Sequence, residues 1–265
     1  MRLALKKAIL NVKPYIPGKP INEVKRELGL KDVIKLASNE SPYPPSPKVH
    51  KAIQEVLKDL NRYPDGSCYY LREKLAENLG VNSRQLLFGN GSDEIIVLAV
   101  RGFVNEGDEV VVAKPSFLVY EIASQIAGAN IKAIPLKDFY YDLPKMKEAV
   151  TKKTKLIFLG NPDNPSGKYL TQSQMNKFLE GLSPSILVLM DEAYYEYVQA
   201  DDYVNSLNLL KKYKNILITR TFSKMYGLAG LRIGYGIADQ EIIGYLNRLR
   251  EPFNVNSVAQ AAALA

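Results

Sequence analysis

The stretch TFSKMYGLAGLRIGYG (residues 221–236) follows a β-branched run, NILIT (215–219), and carries two cations, Lys224 and Arg232. A strand returning parallel to NILIT needs a crossover of about a dozen or more residues. The run IGYG begins only nine positions after Lys224, so RIGYGIA (232–238) is expected to lie antiparallel beside NILIT. The first residue of an antiparallel neighbour sits at the edge where its partner ends. Arg232 is therefore expected to face the site that Lys224 occupies, and the pair suits one ligand that is anionic and bears a carbonyl.

Outward from this segment, short β-branched runs recur in EVVVA (109–113), IKAIPL (131–136), KLIFLG (155–160) and SILVLM (185–190). Segments of helical period separate them, among them LVYEIASQIAG (118–128) and TQSQMNKFLEGL (171–182), the second opening on Thr171 as an N-cap. Alternation of this kind predicts an α/β fold, a three-layer α/β/α arrangement with a mostly parallel sheet and one antiparallel strand. The unusual residues fall just past the strand ends: Phe117 after EVVVA, NPDNPSG (161–167) after KLIFLG, Asp191 after SILVLM, Ser223 and Lys224 after NILIT. The carboxyl edge of such a sheet is where ligands bind.

Composition narrows the function. The 265 residues are 46% hydrophobic, enough for a sizeable core, and no apolar run approaches the ~20 residues of a membrane span. The N-terminal MRLALKKAIL has its apolar stretch broken by Lys6 and Lys7, unlike a secretory signal, so a cytoplasmic location is expected. One cysteine, Cys68, and one histidine, His50, leave no metal cluster and agree with a reducing compartment. His50 sits in SPKVHKAIQEVL, where Ser46 reads as an N-cap and Pro47 as the first helical residue, so a surface helix position is expected for it. The formal charge of +7 is spread along the chain without a basic aromatic stripe, so no nucleic-acid partner is expected.

A ligand that fits the lysine, the arginine and the carboxylate is pyridoxal 5'-phosphate. Its aldehyde condenses with a lysine amine, and its pyridine nitrogen needs a carboxylate to stay protonated as an electron sink. Lys224 and Asp191 suit these roles. GNGSDEII (89–96) is a glycine turn entering a helix, so the amides of Gly91, Ser92 and Asp93 are expected to surround the phosphate. Thr221 and Ser223 add hydroxyls and Arg232 a guanidinium. Glu94 stands where a dinucleotide fingerprint would need its third glycine, which removes that reading.

The motifs PYIPGKP, LASNESP, RYPDG, GNGSDE, NPDNPSG, DEAYYEY, TFSKMYGLAGLRIGY and EPFNVNS run nearly end to end. Together they resemble the fold-type I pyridoxal-phosphate aminotransferases and, within them, the histidinol-phosphate aminotransferases. The resemblance implies amino transfer between histidinol phosphate and 2-oxoglutarate in histidine biosynthesis. It implies that Lys224 binds the cofactor and shuttles the proton, Asp191 partners the ring nitrogen, and Asn164 and Tyr194 donate to the phenolic oxygen. Phe117 would stack on the ring where many relatives carry tyrosine. Tyr63 would reach the phosphate of the neighbouring subunit of a homodimer with shared sites, and Tyr15 and Asn39 would lie near the substrate.

The resemblance also implies an N-terminal arm and small-domain segment over 1–42, a large cofactor domain over 43–256, and the start of a C-terminal domain helix over 257–265. That helix, in NSVAQAAALA, is expected to open on Ser257 and Gln260 in capping-box spacing and has no C-cap. A truncated reading frame is expected, with most of the small C-terminal domain and its substrate-carboxylate arginine absent and the chain inactive alone. Three other functions stay open: aromatic or branched-chain amino transfer, a phosphothreonine-type decarboxylase on the same scaffold, and a non-catalytic cofactor-binding protein.

Overall fold

The computed structural model describes residues 4–265; Met1, Arg2 and Leu3, where the N-terminal arm and the non-signal reading of MRLALKKAIL begin, lie outside the described residues. Seven strands form one sheet: β1 (Leu86–Gly89), β2 (Glu109–Lys114), β3 (Asn130–Pro135), β4 (Thr154–Gly160), β5 (Leu187–Asp191), β6 (Ile216–Thr221) and β7 (Gly234–Ala238). Their order is β1-β7-β6-β5-β4-β2-β3. β7 is antiparallel to both β6 and β1, and the other pairings are parallel. The short connection after Lys224 has the predicted result, since Thr221 at the end of β6 pairs with Gly234 at the start of β7.

β1 was not foreseen. It is four residues long, buried throughout, and so lacks the alternation that marks a half-exposed strand. It takes the sheet edge beyond β7, where Gly89 also pairs with Gly234. The carboxyl ends of β1 and β6 and the start of β7 therefore meet at one point.

The helices are α1 (Ile21–Leu28), α2 (Pro47–Val56), α3 (Tyr69–Leu79), α4 (Ser92–Phe103), α5 (Leu118–Ala127), α6 (Leu143–Glu148), α7 (Gln172–Leu179), α8 (Ser206–Lys212), α9 (Gln240–Asn247) and α10 (Ser257–Leu264); all but α1, which buries no residue, pack on the two faces of the sheet. Successive strand side chains point to opposite faces. Leu87, Val112, Phe158, Leu189 and Leu217 pack with α4, α5 and α9. Phe88, Ile157, Met190, Ile218 and Tyr235 pack on the other face with α2, α3, α7 and α10. With both faces covered, the central strands are continuous apolar runs, which is why they could be read from sequence.

The caps largely follow the residues. Ser46 Oγ accepts the Lys48 amide at 3.3 Å, and exposed His50 follows on α2. Thr171 and Gln174 exchange side-chain and backbone bonds of 3.2 and 2.9 Å at the start of α7. The C-terminal helix differs from expectation: its cap is Asn256, whose Oδ1 accepts the Ala259 amide at 2.8 Å, and not Ser257. An asparagine one residue earlier reaches the third helical amide. Gln260 donates instead to the carbonyls of Asp65 and Val255, both at 2.9 Å.

Candidate active site

At the end of β5, Asp191 is only 6% exposed. Its Oδ2 accepts the Tyr120 hydroxyl at 2.7 Å, and its Oδ1 accepts the Thr219 hydroxyl at 3.1 Å and the Ala193 amide at 3.2 Å. Thr219 is the register partner of Asp191 on β6, so the two share a face by construction. Tyr120 rises from α5 and stacks on Phe158 of β4, ring centroids 4.5 Å apart. Burial pushes the Asp191 carboxyl above its usual range, against the hydrogen bonds from Tyr120 and Thr219. All three donors are neutral. A buried carboxylate held this way favours a cation beside it.

Lys224 lies two residues past Phe222 on the turn leaving β6, half-buried. Its Nζ donates to the carbonyls of Ser38 at 3.0 Å and Asn39 at 3.2 Å, and lies 5.5 Å from the centroid of the Tyr194 ring. The Tyr194 hydroxyl accepts Asn39 Nδ2 at 2.8 Å. Burial holds the Lys224 ammonium below the usual lysine range; Asp93, Glu40 and Asp191 pull it up, while Arg232 pushes it further down. An amine in this setting is neutral, and so nucleophilic, over a wider pH range than an ordinary lysine.

The anion site forms where β1, β7 and α4 meet. α4 has no side-chain N-cap, so the amides of its first turn lack a side-chain acceptor. Gly91 has φ +83°, and a Cβ there would lie 2.6 Å from Arg232 Nη2. A Cβ on Gly234 would collide with the Ser92 amide nitrogen, so glycine on β7 lets the helix start sit against the strand. Arg232 Nη2 lies 3.2 Å from Asp93 Oδ2, and its Nη1 donates to the Ala229 carbonyl at 3.2 Å and Ser223 Oγ at 3.4 Å. Uncapped amides, a hydroxyl and a guanidinium around a glycine fit a phosphate group.

Residues 31–265 match the family described as aminotransferase class I and II. A histidinol-phosphate aminotransferase of Moorella thermoacetica is 53% identical over 261 residues, 98% of this chain and 68% of that relative. The chain belongs to the histidinol-phosphate aminotransferase family. A histidinol-phosphate aminotransferase of Anoxybacillus flavithermus is 48% identical over 263 residues, 99% of this chain and 71% of its own length. The crystal structure of a histidinol-phosphate aminotransferase from Sinorhizobium meliloti, in complex with pyridoxal-5'-phosphate, shares the fold with a TM-score of 0.89 at 29% identity. That match covers 98% of this chain and 70% of that one.

For this histidinol-phosphate aminotransferase family member, the residues expected at the site divide into two groups. Asp191, Tyr194, Ser223, Lys224, Arg232, Gly91, Ser92, Asp93 and Asn39 share the strand-end cluster. Phe117 begins α5 beside it, edge-on to Tyr120 with centroids 5.5 Å apart, and Asn164 is half-buried past β4. Thr221 is turned inward: its hydroxyl donates to the Ile233 carbonyl at 3.4 Å and accepts the Ser223 amide at 3.1 Å, so it braces the lysine turn. Tyr63 is 82% exposed and stacks on Phe253 at 4.7 Å. Tyr15 is 58% exposed and, among the described residues, joins none of these contacts.

Sequence reasoning missed Tyr120, Thr219 and Glu94. Glu94 Oε2 accepts the Asn90 amide at 2.6 Å and Asn254 Nδ2 at 2.8 Å, so it clamps the glycine turn to the EPFNVNS segment. The available signals were weak. Thr219 has the strand parity of Asp191, and Tyr120 faces the sheet one helical turn past Phe117. The Asp93 carboxylate was also missed, since only its amide was considered.

Proposed function

We propose that the chain transfers an amino group between histidinol phosphate and 2-oxoglutarate, using pyridoxal 5'-phosphate. One observation carries this reading: a burial-lowered lysine, a buried carboxylate with only neutral donors, and an uncapped helix start under an arginine lie along one sheet edge. When bound, the cofactor supplies an aldehyde that captures amines and a ring that draws electrons from the substrate's α-carbon.

The protein's own residues supply the rest. Asp191, held by Tyr120 and Thr219, keeps a proton on the ring nitrogen. Lys224 Nζ would hold the cofactor and, once released, would take and return the substrate's α-proton. The amides of Gly91, Ser92 and Asp93, with Ser223 and Arg232, bind the phosphate, and Thr221 holds Ser223 in position. Asn164 and Tyr194 would donate to the phenolic oxygen, Phe117 would give an aromatic face to the ring, and Asn39 and Tyr15 would orient the substrate.

We also propose a cytoplasmic homodimer in which Tyr63 reaches the partner's phosphate site. Its 82% exposure, with that of Tyr43 (78%) and Tyr70 (75%), supports this reading. Among the described residues no helix is long and apolar enough to cross a membrane. A panel of histidinol phosphate, aromatic and branched-chain amino acids and phosphothreonine, offered to the cofactor-loaded protein and followed by mass, tests the substrate. Imidazole acetol phosphate with glutamate is expected; preferential release of carbon dioxide would overturn the transferase reading.

A further inference from the structure

Away from the lysine site, a cavity of about 400 Å³ opens between α3, the turn before β1, and α9. Three arginines line it, Arg72, Arg84 and Arg250, together with the Ile243–Gly244 stretch of α9; Leu86, which is fully buried, meets the cavity through its backbone. No Asp or Glu is among its lining residues. Its size is within the range of small-molecule pockets, ~300–1,000 Å³.

Two of the arginines are fixed by the fold. Arg72 donates from Nε to the Ser67 carbonyl at 3.0 Å and from Nη1 to the Ser83 carbonyl at 3.1 Å and the Leu86 carbonyl. Arg250 donates to Asn247 Oδ1 at 2.6 Å, Asn254 Oδ1 at 3.1 Å and the Gly66 carbonyl at 2.8 Å. These acceptors are neutral, so the bonds orient the two cations without cancelling their charge. Burial, and after it the charge of Arg250, act to push Arg72 below the usual arginine range. Asp65 and Glu73 act on Arg72 from outside the cavity, but Asp65 spends its oxygens on Ser67 and the Tyr69 amide. Arg84 is exposed, and among the described residues its guanidinium makes no side-chain hydrogen bond or ion pair. It is free to close on a ligand.

We infer that this cavity is a second anion site, which takes a small phosphate monoester with an apolar body. The phosphate meets the guanidinium groups of Arg72, Arg84 and Arg250, whose paired N–H donors suit phosphate oxygens. The apolar body lies against the Ile243–Gly244 side of the cavity.

Phenyl phosphate, titrated by calorimetry into the protein loaded with pyridoxal phosphate, tests the site. Arg84→Glu is expected to weaken one binding event by about tenfold or more, because a charge-assisted contact is replaced by repulsion. Arg84 lies outside the core, so this variant keeps the fold. Arg232→Ala, which disables the glycine-turn anion site, is expected to leave that event intact. The Arg84 dependence is read whether or not cofactor is retained. Three results would overturn the inference: an Arg84→Glu isotherm that superimposes on the parent, loss of the Arg84-dependent event in Arg232→Ala, or no phenyl phosphate binding at millimolar concentration.

Discussion

Asp191 and Glu192 are neighbours in sequence, both buried, and end on opposite faces of the sheet. Glu192 is met within the chain by a cation: Arg220 donates to its Oε2 from Nε and Nη2, both at 2.8 Å, and lies 3.6 Å over the Tyr195 ring. Asp191 has Tyr120, Thr219 and an amide, all neutral. The strand parity that pairs Asp191 with Thr219 carries Arg220 and Glu192 to the other face. One carboxylate is therefore structural and complete, and the other is prepared for a cation that a ligand brings.

Breaking the complete pair has the largest expected effect. Glu192→Ala leaves the Arg220 cation buried and alone, and is expected to lower stability by about 3–5 kcal/mol in urea unfolding. A loss under about 1 kcal/mol would mean that the pair is solvated and the contrast with Asp191 false.

Asp191→Asn is expected to do the reverse. Without cofactor it removes a buried charge that lacks a counterion, so stability holds or rises. In the loaded protein it removes the group that keeps the ring nitrogen charged, and α-deuterium exchange of a bound amino acid should slow by about 10²–10³-fold. Unchanged exchange would assign the ring nitrogen to another residue.

A smaller effect sharpens the same contrast. The Asp191 carboxyl titrates above its ordinary value of 3.8 in the folded chain. Between 3.8 and the folded value the native state holds more protons than the unfolded one, so this group's contribution to stability falls as pH rises through that window. Cofactor-free Asp191→Asn should lose that slope, at most about 1.4 kcal/mol per pH unit. A slope that persists would place the titration elsewhere.

The same two residues show what a sequence reveals. The fold was legible because the buried parallel strands are unbroken apolar runs and because the connection after Lys224 is too short to cross over. β1 was not, since LLFG is too short to show a period and its pairing partner lies over 140 residues away in sequence. Lys224 and Asp191 were legible because each stands at or just past the end of a strand that could be recognised, and Arg232 because it stands just before one. Tyr120 and Thr219 were not, because their link to Asp191 depends on helix orientation and strand register. The Glu192–Arg220 pair was missed for the same reason, as parity alone does not say which charges will meet. Tyr63 could be named only by resemblance, and the aromatic ring it stacks on, Phe253, comes from a segment far along the sequence.

The most direct measurement is borohydride reduction of the protein mixed with pyridoxal phosphate, followed by peptide mapping across pH. Label is expected at Lys224 alone, with half-maximal attachment below the ordinary lysine value of 10.5, and none is expected in Lys224→Ala. Label on another lysine, or none in a demonstrably folded sample, would contradict that assignment.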